Sequence, residues 1–363
     1  MTCPPRSSRR AEPISCRDNP AQTCEHDLPE VTTIKVIVTG GSGFIGTNLV
    51  ERFLERTWKV LNLDIAEPRN DTHREHWRRV DILDRDSVIG TFSAYRPDVV
   101  LHMAARTDLH ESRSIKGYAA NTDGVVNVIE AIRRTGSVER TVFASSRLVC
   151  EIGYTPMNEE DYRPSTLYGE SKALGERLVR RAGQSIGPWV IVRPTSIWGP
   201  WFDVPVPYKR FFELIARNLY VHPGQRNPRK SFGYVGNTIY QLEKILEAPT
   251  EKVNGKTLYL SDYPPIFLRQ WANQIQEALG AKPIKTVPLS LLKIAAAMGN
   301  AAKVVGWREP PLTKFRLDNM ITEMVYDTSE LESIVGPLPF SEKQGVAITV
   351  DWLRNHNGLP KQG

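Results

Sequence analysis

From residue 34 onward, short β-branched runs alternate with longer segments whose apolar residues recur at helical spacing. The runs fall at 34–39, 59–64, 80–82, 99–102, 141–144 and 190–192. The intervening segments predict helices near 44–57, 84–95, 113–135 and 166–182. Strands that alternate with helices imply a parallel sheet covered on both faces. Right-handed crossovers make this a Rossmann-type, doubly wound α/β fold.

The rhythm changes after Pro194. Pro200, Pro205 and Pro207 mark an irregular stretch. Helical patterns follow near 207–219, 236–248, 267–279, 289–304 and 342–356, with one strand-like run at 257–260. The expected organisation is a disordered extension over 1–30 and a sheet domain over 31–195, to which later segments can return. A smaller, mostly helical, substrate-binding lobe is expected over 196–363.

Composition narrows the classes. The chain has 363 residues, 40% of them hydrophobic and 24% charged, enough apolar material for a sizeable core. Lysine and arginine total 47 against 41 acids, a net charge of +6 spread without a cluster, which argues against nucleic-acid binding. No segment reaches the ~18–20 apolar residues of a membrane helix. The nearest, 291–305, is interrupted by Lys293 and Lys303. Cys3, Cys16, Cys24 and Cys150 form neither a disulfide framework nor a metal pattern, so a reducing cytoplasm is the simplest setting. The first thirty residues lack the hydrophobic core of a secretory signal. No HExxH spacing occurs, and no metal site is expected.

The first strand leads directly into Thr39-Gly40-Gly41-Ser42-Gly43-Phe44-Ile45-Gly46. Glycines here permit a tight turn and close approach of backbone N–H groups to a pyrophosphate, with the helix N-terminus facing the phosphates. The second strand ends in Asp64, near the spacing of a ribose-binding acid. A carboxylate there accepts hydrogen bonds from the ribose diol and repels a 2′-phosphate, which favours NAD over NADP. Arg69 stands close enough to soften that preference.

Tyr168-Gly169-Glu170-Ser171-Lys172 sets a phenol and an amine one turn apart on a helix face. A neighbouring ammonium favours phenolate, making the tyrosine a usable base. Ser145-Ser146 ends the fifth strand, at the sheet edge where such folds bind ligands. Ser146 can share a substrate oxygen with Tyr168. Asp81-Ile82 follow the third strand, in place to hold adenine. His102-Met103-Ala104-Ala105 ends the fourth, where small residues let the backbone lie against a cofactor. Asn121 sits in the long helical pattern that follows.

This ordered set, completed by Arg193-Pro194 and Gly199-Pro200, resembles the extended short-chain dehydrogenase/reductase superfamily. More narrowly, it is similar to the NAD-dependent epimerase/dehydratase family, whose members act on nucleotide sugars. The resemblance implies a catalytic triad of Ser146, Tyr168 and Lys172. It implies NAD contacts at Gly40, Gly43, Phe44, Ile45, Gly46, Asp64, Asp81, Ile82, Ala104, Ala105, Asn121, Tyr168, Lys172 and Pro194. The expected substrate contacts are Thr107, Ser146, Arg226, Arg229 and Lys230, the basic loop being suited to a diphosphate. A homodimer built on the helices near 113–135 and 166–182 is also implied, with Val125, Val128, Ile129 and Ile132 as its apolar stripe.

The sequence departs from the family at informative places. Arg147 and Leu148 stand where dehydratases carry an Asp-Glu pair, which argues against elimination of water. Cys150-Glu151 replaces the usual Tyr-Gly. Lys230 takes an arginine position, and Asn237 stands where the steroid-dehydrogenase branch also has asparagine. The leading expectation is a nucleotide-sugar epimerase working through a transient ketone with Tyr168 as base. The alternatives are a net dehydrogenase or reductase of a sugar or sterol-like alcohol, and a non-catalytic NAD sensor.

Overall fold

The computed structural model describes Met1 and residues 33–109, 111, 113–202, 207–307, 310–356 and 359. The expected disordered extension, with Cys3, Cys16 and Cys24, lies outside the described residues apart from Met1. Six strands come first: Lys35–Thr39 (β1), Lys59–Asp64 (β2), Trp77–Arg79 (β3), Val99–His102 (β4), Arg140–Ala144 (β5) and Trp189–Pro194 (β6). They pair in parallel in the order β6-β5-β4-β1-β2-β3. The run Thr257–Leu260 joins the same sheet beside β6, so the second half of the chain returns to complete it. The order reverses between β1 and β4, which opens a crevice at their C-terminal ends.

Alternation along the strands divides the core. Val36 and Val38 face one side with Leu101, Val142 and Val192; Ile37 faces the other with Val100, Phe143 and Ile191. Helix Phe44–Glu55 (α1) and the C-terminal helices cover the first side. Helices Arg85–Tyr95 (α2), Asp123–Thr135 (α3) and Leu167–Ala182 (α4) cover the second. The first cluster also takes in Trp198, Phe212, Trp271 and Leu353, so one apolar core joins the sheet to the later helices.

Three expectations change. The third strand is Trp77–Arg79 rather than 80–82. Val80 and Ile82 are buried, but in the turn leading to α2, where Ile82 packs against Gly124. The pattern near 113–135 is not one helix: a 3-10 segment, Ile115–Asn121, precedes α3. Val125, Val128, Ile129 and Ile132 are buried in this chain's own core, so the stripe offers no dimer face. Among the described residues, no helix is long and apolar enough to cross a membrane.

Candidate active site

The glycine loop closes against the end of β4. Gly40 has φ +73°, and a Cβ there would lie 2.6 Å from the Ala104 nitrogen, so only glycine fits both backbone and space. Gly43 precedes α1 in extended conformation with no side-chain cap, and the first turn of α1 holds no acid. The orphan N–H groups of that turn therefore face the crevice without a protein anion, as a pyrophosphate requires. The Asp64 carboxylate, at the end of β2, accepts from the Ser42 N–H (3.1 Å) and the Ala66 N–H (3.0 Å). Arg69 lies across the same loop, its Nε donating to the Ser42 carbonyl (2.8 Å) and its Nη1 to that of Trp201 (2.7 Å). Asp81 is exposed and accepts from the Leu83 N–H at 2.9 Å. Ala104 and Ala105 are half-buried just past β4. The donor set fits NAD.

Ser146, Tyr168 and Lys172 converge at the C-terminal ends of β5 and β6. Thr166 starts α4 by accepting from the Gly169 N–H at 3.0 Å. A Cβ on Gly169 would lie 2.1 Å from the Leu148 carbonyl oxygen, so this glycine lets α4 press against the turn Arg147–Val149. That contact sets the buried Tyr168 beside the turn that Ser146 opens, where the Ser146 hydroxyl accepts from the Leu148 N–H at 3.1 Å. Burial pushes the Tyr168 phenol up from its ordinary pKa, while the Ser146 hydrogen bond and the Arg147 charge pull it down. Lys172 donates to the Ala144 carbonyl at 2.7 Å, and burial lowers its pKa to about 8 against the pull of Glu176. The Tyr118 ring stands 6.0 Å from that of Tyr168.

Other expected residues have different duties. The Asn121 amide accepts from the Arg106 N–H and donates to the Arg106 carbonyl and the Ser171 hydroxyl. Its side chain thus braces α4 instead of offering itself to a cofactor. Pro194 ends β6 opposite Leu260. Thr107 is exposed on the segment after β4. The basic loop is not an open cluster. Arg226 is exposed, Arg229 pairs with Glu323 at 2.6 Å, and Lys230 is fully buried, donating to the carbonyls of Asn319 (2.6 Å) and Thr322. Burial lowers the Lys230 pKa to about 7. Asn237 is likewise structural, bonded to Asp262 and to the backbone of Phe340. His73 and His76 stand three apart, but no group of His, Cys, Asp and Glu able to hold a metal occurs among the described residues.

Sequence reasoning missed two features. Glu176, one turn beyond Lys172, is buried and accepts from Ser145 (2.5 Å), Tyr162 (3.0 Å) and Arg193 (2.8 and 2.9 Å). The signal was an arginine inside an otherwise apolar strand. The second feature is Arg147, only 7% exposed, whose charge acts on Tyr168.

Residues 36–260 match the NAD dependent epimerase/dehydratase family. The chain is 25% identical over 338 residues to a 3-beta-hydroxysteroid dehydrogenase of Mycolicibacterium neoaurum, covering 86% of this chain and 89% of that one. It is 23% identical over 345 residues to a decarboxylating sterol-4-alpha-carboxylate 3-dehydrogenase of Saccharomyces cerevisiae, covering 88% and 97%. A UDP-glucose 4-epimerase of Thermus thermophilus, solved with NAD, shares the fold with a TM-score of 0.66 at 24% identity, covering 88% of this chain and 99% of that one. A cradle fitted to NAD and a match across most of the chain lead to one conclusion: this is an NAD-dependent enzyme that belongs to the NAD dependent epimerase/dehydratase family.

Proposed function

We propose that the enzyme is a dehydrogenase that oxidises a secondary alcohol of hydroxysteroid type, or reduces the matching ketone. The observation that carries this reading is the buried Tyr168 and Lys172, one turn apart on α4, with Lys172 anchored to the Ala144 carbonyl at 2.7 Å at the end of the strand that Ser146 follows. NAD, when bound, accepts the hydride of the carbinol carbon. Ser146 steadies the substrate oxygen. Tyr168 takes the hydroxyl proton during oxidation and returns it during reduction. Ser146 and the charge of Arg147 favour the phenolate that burial opposes.

The state of the basic loop supports a dehydrogenase over a nucleotide-sugar epimerase. Arg229 and Lys230 already have protein partners, which leaves little to clasp a diphosphate. The similarity to hydroxysteroid dehydrogenases supports the steroid-type skeleton. The epimerase is the second reading, favoured by the exposed Arg226 in the same loop. The test is incubation with NAD and either a 3β-hydroxysteroid or UDP-glucose. Accumulation of NADH and 3-ketosteroid is the expected outcome. Conversion of UDP-glucose to its 4-epimer, with the steroid untouched, would overturn the reading.

A further inference from the structure

The helix Leu289–Val304 is packed inside out. A surface helix ordinarily turns its large apolar residues to the core and its polar ones to water. Here the residues seated against the molecule are small. Ala296 is buried, and Gly299 lies so near the Leu312 carbonyl that no Cβ would fit. The large residues point the other way. Leu291, Ile294 and Met298 are 56, 59 and 69% exposed, and Ala301 and Val305 continue the row in the open. Their spacing of alternately three and four residues makes one stripe along the helix. Val304 and Trp307, at its C-terminal end, are exposed as well. Single exposed apolar residues are ordinary, whereas a contiguous row marks a contact surface.

Charge says what covers that row. Between Glu277 and Glu309 the chain has no acid, and it carries Lys282, Lys285, Lys293, Lys303 and Arg308. Lys282 and Lys285, on the segment before the helix, and Lys293, on the helix itself, are exposed. A second copy laid on the same face would set these lysines against one another, with no acid in the stretch to answer them. A nucleic acid would use the cations and leave the apolar row in water. An anionic bilayer meets both features at once, taking apolar side chains into its acyl boundary and lysines at its headgroups.

We infer that this face lies on the surface of a bilayer that contains anionic phospholipid. The helix rests in the plane of the interface and does not cross it, since no helix among the described residues is long and apolar enough to span. Leu291, Ile294, Met298 and Val305 enter the boundary, and Lys282, Lys285 and Lys293 meet headgroup phosphates. The inference stands whichever alcohol the enzyme oxidises.

The test is flotation of the NAD-loaded protein with two kinds of vesicle, phosphatidylcholine alone and phosphatidylcholine with phosphatidylglycerol at about 3:1. Wild type should partition roughly tenfold more strongly onto the anionic vesicles at low salt, and the advantage should shrink as salt rises. I294E/M298E places two carboxylates in the exposed row and leaves the packed face alone. It should keep the wild-type Tm and NAD affinity and lose vesicle binding. K285E/K293E should bind weakly and treat the two vesicles alike. Wild type that stays off anionic vesicles overturns the inference, as does equal binding to both kinds. Binding that persists in I294E/M298E also overturns it. Light scattering without vesicles supplies the rival outcome: a wild-type dimer that I294E/M298E splits, with no vesicle binding, would give the face to a second copy instead.

Discussion

Tyr168 is held between opposing influences: burial and the neighbouring Tyr118 favour the neutral phenol, while Ser146 and Arg147 favour phenolate. Its pKa lies above the ordinary value, so the base form is scarce at neutral pH and grows as pH rises. The kcat/KM for alcohol oxidation should therefore climb about tenfold per pH unit below that pKa, while the Tyr168 acid needed for ketone reduction stays fully populated there and is lost only as pH rises through it. Tyr168→Phe should lower turnover about 10²–10⁴-fold with NAD affinity retained, read by steady-state kinetics and calorimetry. Turnover within a few-fold of wild type would remove Tyr168 from its role. Tyr168, Lys172 and Ser146 were legible in the sequence because helical spacing and a strand end place them directly. Arg147 was not. In one dimension it is only a replaced acid, and its burial without a partner exists only once α4 packs on its turn.

That packing is an element-scale property and hangs on Gly169. Its Cα passes so near the Leu148 carbonyl that a Cβ would lie 2.1 Å from the oxygen. Gly169→Ala should push α4 from the Arg147–Val149 turn, at a cost of about 1–3 kcal/mol. Urea unfolding should report the lost stability, and kcat should fall with it because Tyr168 is carried away from the turn that Ser146 opens. Unchanged stability and kcat would contradict the close packing. Most element positions followed from apolar period, including β2, β4 and the helix Leu289–Val304. The third strand did not, because Val80 and Ile82 owe their burial to packing around α2 and Gly124 and not to the ladder. The break before α3 was equally hidden, since Ile115–Asn121 keeps nearly the spacing of a helix.

At the scale of the whole molecule, the Arg193–Glu176 pair ties α4 to β6, both members being 1% exposed at the side chain. Arg193 also donates to Tyr259, on the strand that returns from the second half of the chain, and to the Glu159 carbonyl. Glu176→Gln leaves a buried guanidinium without its counter-charge and should cost about 3–5 kcal/mol, seen as a lower Tm with denaturant unfolding to match. A loss below about 1 kcal/mol would mean that solvent or another group already screens the pair. The parallel sheet and its crevice were legible from alternation of elements. The return of Thr257–Leu260 to the sheet was not, because local pattern marks a strand without naming its neighbour.

A dehydrogenase moves hydride for good between a secondary alcohol and NAD, whereas an epimerase returns it. The most direct measurement uses a 3β-hydroxysteroid deuterated at C3, incubated with the enzyme and NAD and followed by mass spectrometry of both products. Singly deuterated NADH should accumulate in step with the 3-ketone, and about 10²–10⁴-fold more slowly with Tyr168→Phe. Contradiction would come from deuterium that never leaves the steroid, alongside conversion of UDP-glucose to its 4-epimer without net NADH.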